Sequence, residues 1–514
     1  MIRRNHVIRR LITGERAYPE KWTKPYFVED IQSLSAKAAH STIWSFSQKV
    51  GANGISLVTS ALIARVLFPV DFGLVGMAAL TLGVVSLFRD LGFGAYIVYK
   101  KSADQIDLST IFWLNLAISI ILYALCFGAG PLANKYFNNE KVEQILRITA
   151  LTFIIGGIGS VHNTILVKQL RFKAIAYVGF FSSLINCFVT LLSVMVFRVG
   201  YWGIIFGMLS SSIAVTGFNY YFTRWYPLLV FDFQRLREMF HYGKNLFFQR
   251  ILNYFASNID YFIIGRMLGA ASLGIYRFAY VVPHTIYTDF SQTLSAILFP
   301  VLCKVTDEPE RFKKGYLKAI KFISFLSFPA MTGLFSVADH FITAVFSERY
   351  IGAVIPLKIL CFSGMSRSIL TTMGPVFNSK GRPDIELKWN LCVFPVIIIV
   401  VYFGSSYGLN GVALAMTLTS YFCFIAAWIS MRLAKIKFSS YLAALLPAFI
   451  GSILVLASVM LVNTYILSKF HFNHVLSLII LIPVGACIYV FYLFLFFRSD
   501  VFEFINFIKG GISR

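Results

Sequence analysis

Basic side chains sit inside long apolar runs of this chain, and they do so twice. In SFSQKVGANGIS at 45–56 and FFQRILNYFASNID at 247–260 the polar positions recur at an offset of 201 residues: Gln48 on Gln249, Lys49 on Arg250 and Ser56 on Ser257. The match continues with Arg65 on Arg266, Leu67 on Leu268 and Gly73 on Gly274. At helical spacing Lys49, Asn53, Ser56 and Ser60 form one stripe, and Arg250, Asn253, Ser257 and Asp260 form another. A cation near the middle of a membrane helix costs roughly 2.5–3.5 kcal/mol on insertion scales. One present in both halves therefore points to a shared polar cavity suited to an anionic cargo. The competing reading is that small polar residues join helices while the cation reaches the interface.

Further charges lie in apolar text. Arg277 and Asp289 fall in one such segment and Lys358 and Arg367 in another; they are candidates either for cargo binding or for Asp–Arg locks between helices. Asp260 and Asp289 are the acids that could couple transport to a bound proton or Na⁺. For Asp260 the reading as a counter-charge to a nearby Arg is favoured. Arg65 and Arg266 lie at helix ends, and Arg89 with Asp90 at another; all four are expected to serve structure.

These residues need elements that cross a membrane. Hydrophobic residues make up 58% of the 514 and charged residues 13%, whereas soluble domains carry about 25% charged residues. The expected fold is an all-α polytopic membrane protein. Its net charge of +23 sits mainly in short connections between apolar runs, so it reports topology and implies no nucleic-acid partner. No apolar stretch of signal type occurs in the first 40 residues. The seven cysteines fall in or beside apolar segments without a CxxC, and His471 with His474 reads as an exposed loop pair, so neither disulfide, metal nor cofactor is implied. Enzymatic readings find little support: no connection exceeds about 25 residues, and no nucleophile, base and orienting group converge. LGFGAYIV follows a membrane helix rather than a strand, which removes a dinucleotide-loop reading.

Apolar runs long enough to span predict fourteen helices. Alternate connections carry the cations. One set holds Lys100 and Lys101, Lys168 to Lys173, Arg224 to Arg237, Lys304 to Lys314, Lys380 with Arg382, and Arg432 to Lys437. The other holds only Lys135, Lys141, Arg198, Arg349 and Lys469. That pattern puts the basic set and both termini in the cytoplasm. The expected organisation is a basic arm at 1–40, a first lobe of six helices at 41–223, and a linker at 224–243 with a short interfacial helix. A second six-helix lobe at 244–432 follows, then helices 13 and 14 with a tail at 433–514. Six is an even number, so the lobes share one orientation and are related by a pseudo-twofold along the membrane normal.

The repeated text also carries a family likeness. ARVLFPVDFGLVGMA at 64–78 and GRMLGAASLGIYRFA at 265–279 resemble the repeated A-R-x-L-x-x-x-x-F/L-G signature of the multidrug, oligosaccharidyl-lipid and polysaccharide flippase superfamily. DLGFGAYIV at 90–98, STIFWLN at 109–115, the segment 297–331 and FSERY at 346–350 are similar to Wzx-type polysaccharide exporters of the colanic and teichuronic acid branch. The resemblance implies a two-lobed bundle in the bacterial inner membrane. It would flip undecaprenyl-diphosphate-linked oligosaccharide by alternating access, among membrane lipids and beside polysaccharide polymerase machinery, with H⁺ or Na⁺ as coupling ion. On that reading Lys49, Asn53, Ser56, Arg250, Asn253, Ser257, Arg277 and Arg367 face the diphosphate and sugars. A multidrug cation antiporter shares the fold, but its cavity would favour acids; a membrane glycosyltransferase or polymerase would need a larger extramembrane loop.

Overall fold

The computed structural model describes residues 34–89, 97, 103–470, 472–500 and 502–503. Most of the expected N-terminal arm, and Asp90, lie outside the described residues. Eleven helices among the described residues are long and apolar enough to cross a membrane. They are α2 (Pro69–Ser86), α3 (Gln105–Phe137), α4 (Glu140–Lys168), α5 (Phe172–Val196), α6 (Trp202–Thr223), α9 (Pro309–Phe346), α10 (Glu348–Ser379), α11 (Pro383–Ser405), α12 (Gly408–Leu433), α13 (Phe438–Leu467) and α14 (His474–Phe496). Three more, α1 (Leu34–Ala64), α7 (Phe233–Met267) and α8 (Gly269–Lys304), run 31, 35 and 36 residues. They exceed the roughly 20 residues that a span needs, so the architecture is compatible with fourteen spans. Helix α7 begins at Phe233 and runs unbroken. The helix expected within 224–243 is therefore the first part of α7 rather than a separate interfacial piece.

Local chemistry sets the helix ends. Asp104 accepts from the backbone N–H groups of Ile106 and Asp107 at 3.1 and 2.8 Å, and Asp107 accepts in return from the Asp104 N–H, a reciprocal cap that starts α3. Pro69 opens α2, while Asp71 reaches back to the Phe68 N–H at 2.9 Å. Asn138 and Arg224 take left-handed backbone conformations that stop α3 and α6.

Packing repeats with the sequence. Helix α1 packs on α5 as α7 packs on α11, and α5 on α6 as α11 on α12. Likewise α4 on α6 matches α10 on α12, α3 on α4 matches α9 on α10, and α2 on α4 matches α8 on α10. Every equivalent is six helices along. Helices α13 and α14 pack on each other and on α9. His474 at the start of α14 bonds His340 of α9, Nδ1 to Nδ1, at 2.9 Å across a helix interface, and His471 lies outside the described residues.

The halves meet at α2 and α8. There the repeat-matched glycines face each other: a Cβ on Gly73 would overlap the Ala270 carbonyl, and one on Gly274 would overlap the Pro69 carbonyl. An aromatic cluster surrounds the crossing, with Phe278 ring centroids 4.9 Å from Phe72 and from Tyr350 and 4.3 Å from Phe346. The same end carries an arginine clasp. Arg65 donates to the Ala344 carbonyl near the end of α9 at 3.1 Å, and Arg266 donates to the Lys135 and Tyr136 carbonyls at the end of α3 at 3.2 and 2.7 Å. Arg65 matches Arg266 in the repeat and α9 matches α3, so this is one contact made twice, each time by a cation at the negative end of a helix dipole. Arg349 and Tyr350 add bonds to the Val66 and Leu67 carbonyls at 3.3 and 3.1 Å.

Replacing Gly73 by valine puts side-chain atoms where the Ala270 carbonyl lies. The expected cost is about 1–3 kcal/mol of overpacking, read as a lower melting temperature of the detergent-purified protein. Gly76→Ala, whose Cβ would meet only the Leu273 side chain at 3.4 Å, should leave the melt unchanged.

Candidate substrate cavity

Two adjoining chambers lined by polar side chains lie between the helices. The larger, about 1070 Å³, is bounded by Arg89, Asn115, Ser160, Asn163 and Asn219 of the first half and by Arg250 of α7. The smaller, about 510 Å³, is bounded by Ser56 and Ser60 of α1, Thr190, Tyr254, Asn258 and Arg277. Asn186 and Met208 line both.

Small residues on α4 create the larger space. A Cβ on Gly156 would come within 2.8 Å of Arg89 Nη2, so the guanidinium lies against bare helix backbone. At Gly159 the same test meets Thr216 Oγ1 at 2.8 Å, which shows how closely α6 approaches. Asn115 donates to Ser160 Oγ at 2.9 Å and Thr216 donates to the Ile155 carbonyl at 2.9 Å, tying α3 and α6 to α4. Ser119 Oγ and Asn219 Oδ1 line this chamber, buried and without a hydrogen-bond partner among the described residues. Two guanidiniums supply planar, paired donors for phosphate oxygens, and the serine, threonine and asparagine surface supplies donors and acceptors for sugar hydroxyls.

A second charged cluster sits behind the smaller chamber. Asp260 is 0% exposed. Its carboxylate accepts from the Tyr276 hydroxyl at 2.9 Å and from the Tyr261 N–H at 2.9 Å, and it lies within electrostatic reach of the Arg367 guanidinium. Arg367 donates to the hydroxyls of Tyr280 and Tyr287 at 3.1 and 3.3 Å. The acid is thus engaged by protein donors, with the Arg367 charge nearby. Arg367 itself is turned into this tyrosine cluster, so its expected place against cargo is corrected: α10 packs on α8 and aims the side chain at Tyr280 and Tyr287.

The stripes read from the sequence divide in space. Arg250 lines the larger chamber, and Ser56 and Arg277 line the smaller. Lys49, Asn53, Asn253 and Ser257 are exposed on α1 and α7 and are not among the residues lining these chambers. Position 289 lies on α8, but the Asp289 side chain is outside the described residues. Lys358 pairs with Asp339 at 2.6 Å, locking α10 to α9. Arg89, expected to be structural, instead faces the cavity. Runs of small residues, GGIGS at 156–160 and SSS at 210–212, were the signal for these missed walls.

A fourteen-helix-compatible bundle of two repeated lobes around a polar cleft defines a class of membrane transporter fold. The solved structure of a lipid II flippase, MurJ, in an inward closed conformation shares it, with a TM-score of 0.69 at 17% identity, covering 90% of this chain and 99% of that one. The chain belongs to the polysaccharide biosynthesis protein family, whose pattern matches residues 62–355. Its relatives include the teichuronic acid biosynthesis protein TuaB of Bacillus subtilis, 29% identical across 70% of this chain and 75% of TuaB. The lipopolysaccharide biosynthesis protein WzxC of Escherichia coli is 26% identical across 76% of this chain and 82% of WzxC.

Asp260→Leu removes the buried acid and leaves the Arg367 charge in place. A hydrogen bond to a charged group contributes about 1.5–3 kcal/mol, so the variant, which loses the Tyr276 contact, should melt below the parent, and Asp260→Leu/Arg367→Met together should recover part of the loss. Equal melting of all three would refute the counter-charge role.

Proposed function

We propose that this protein flips a diphosphate-linked, lipid-anchored oligosaccharide across the bacterial inner membrane by alternating access. The observation that carries the reading is the larger chamber, where Arg89 and Arg250, from different halves, share one wall system with serine, threonine and asparagine. The names of the relatives, a teichuronic acid and a lipopolysaccharide biosynthesis protein, support a glycan cargo. A multidrug cation would be repelled by two guanidiniums, which disfavours the antiporter reading.

On this proposal the basic connections and both termini face the cytoplasm, so the glycine crossing and the arginine clasp close the outer side. The cargo's diphosphate enters between Arg89 of one half and Arg250 of the other, and its sugars lie along α3, α4 and α6. Because the two arginines ride on different lobes, binding the anion draws the halves together on the cytoplasmic side. The outer clasp must then release its carbonyl contacts for the cargo to leave. A proton or Na⁺ gradient supplies the drive, and the neighbouring polymerase machinery would consume the flipped unit.

The test is translocation of an undecaprenyl-diphosphate oligosaccharide in proteoliposomes, with imposed H⁺ or Na⁺ gradients. A hydrogen bond to a charged group contributes about 1.5–3 kcal/mol, so Arg89→Ala and Arg250→Ala should each slow flipping about 10- to 100-fold with insertion intact. Full activity in both would remove the cavity from the mechanism. Arg65→Ala/Arg266→Ala should raise labelling of Gly76→Cys by an impermeant outer-side thiol reagent, because the outer closure loosens. Unchanged labelling would place the closure in the aromatic cluster alone.

A further inference from the structure

An aromatic groove of about 670 Å³ opens between α5 and α6, lined by Tyr177, Phe181, Gly217, Phe218, Tyr221 and Phe222. It is separate from the cargo chambers. On α5, Tyr177 and Phe181 stand nine residues before Asn186 and Thr190, which line those chambers. Nine residues are two and a half helical turns, so the two pairs occupy opposite sides of α5. Gly217 borders the open space of the groove, where a Cβ would meet nothing within 4 Å.

Its mouth is cationic. Arg171, just before α5, donates to the carbonyl of the groove residue Phe222 at 2.8 Å, and Lys173 Nζ sits 5.8 Å from the ring centroid of Tyr177. Arg224, which ends α6, is exposed beside them in sequence. The groove reaches from this mouth to Phe181, nine residues into α5 from Phe172. At 1.5 Å per residue that is about 14 Å, close to half of a 30 Å hydrocarbon core. One leaflet's acyl chain has that depth.

We propose that the groove is a binding site for an anionic phospholipid of the leaflet at the basic end of the bundle. Its phosphate lies on Lys173 and Arg224, and an acyl chain lies over Gly217 between Phe181 and Tyr221. Aromatic rims and cations at headgroup level are the arrangement that holds anionic lipids. The site is independent of the cargo assignment, because it requires only that the helices be embedded.

The experiment uses the full chain in nanodiscs of phosphatidylethanolamine doped with phosphatidylglycerol that carries a photoreactive group in its acyl chain. Labelled peptides are mapped by mass spectrometry. Adducts should concentrate on 177–181 and 217–222, and Gly217→Leu should abolish them. Attraction of a basic residue to an anionic surface amounts to about fivefold in affinity per cation, so Lys173→Gln and Arg224→Gln should each reduce the adduct by about that factor. Should Gly217→Leu not fold, the two surface variants carry the test. Equal labelling by a phosphatidylcholine probe, adducts of equal strength elsewhere on the bundle, or displacement by undecaprenyl phosphate but not by phosphatidylglycerol would each overturn the proposal.

Discussion

The contact between Gly73 and Gly274 is the constraint on which the rest of this structure hangs. Two helices whose backbones touch have no side chain between them, so α2 and α8 are pinned at one end of the bundle. Close approach through small residues is the ordinary means of joining helices in a bilayer, where the hydrophobic effect gives no attraction between them. Because the pinned residues are repeat-equivalent, the contact lies on the pseudo-twofold. Everything near it then occurs in pairs, including the two arginines that cap helix ends of the opposite half.

Pinning one end leaves room at the other, and the polar chambers occupy that room. Their walls follow the same rule of small residues at a different strength. On α4 the glycines at 156, 157 and 159 give up side-chain volume, and Arg89 and Thr216 take it. Arg89 lies against bare backbone beside an open space, a setting in which a basic side chain is tolerated in a membrane helix. Asp260 has no such space and survives differently, through a tyrosine hydroxyl, a backbone N–H and the nearby Arg367. The charges inside the bundle are thus held in different settings, Arg89, Arg250 and Arg277 beside open space and Asp260 among protein donors.

Much of this was legible in the amino-acid sequence because it is periodic. Apolar runs of spanning length, basic connections on alternate turns and an offset of 201 residues between matching stripes are one-dimensional facts, and they determined the class, the duplication and the parallel orientation of the halves. The paired glycines and arginines at 65, 73, 266 and 274 were visible as a repeat too. Their meeting across the twofold was not, since a repeat says that two positions are equivalent and is silent about whether equivalents touch. Tertiary structure alone decided which polar residues share a space. A stripe on a helix has a direction relative to its own axis only, and helix rotation within the bundle sent Ser56 and Arg277 to a chamber, Lys49 and Asn253 to an exposed face, and Arg367 into a ring of tyrosines. Arg89 went the other way, from a helix end to the cavity wall, because glycines more than sixty residues along the chain made the space for it.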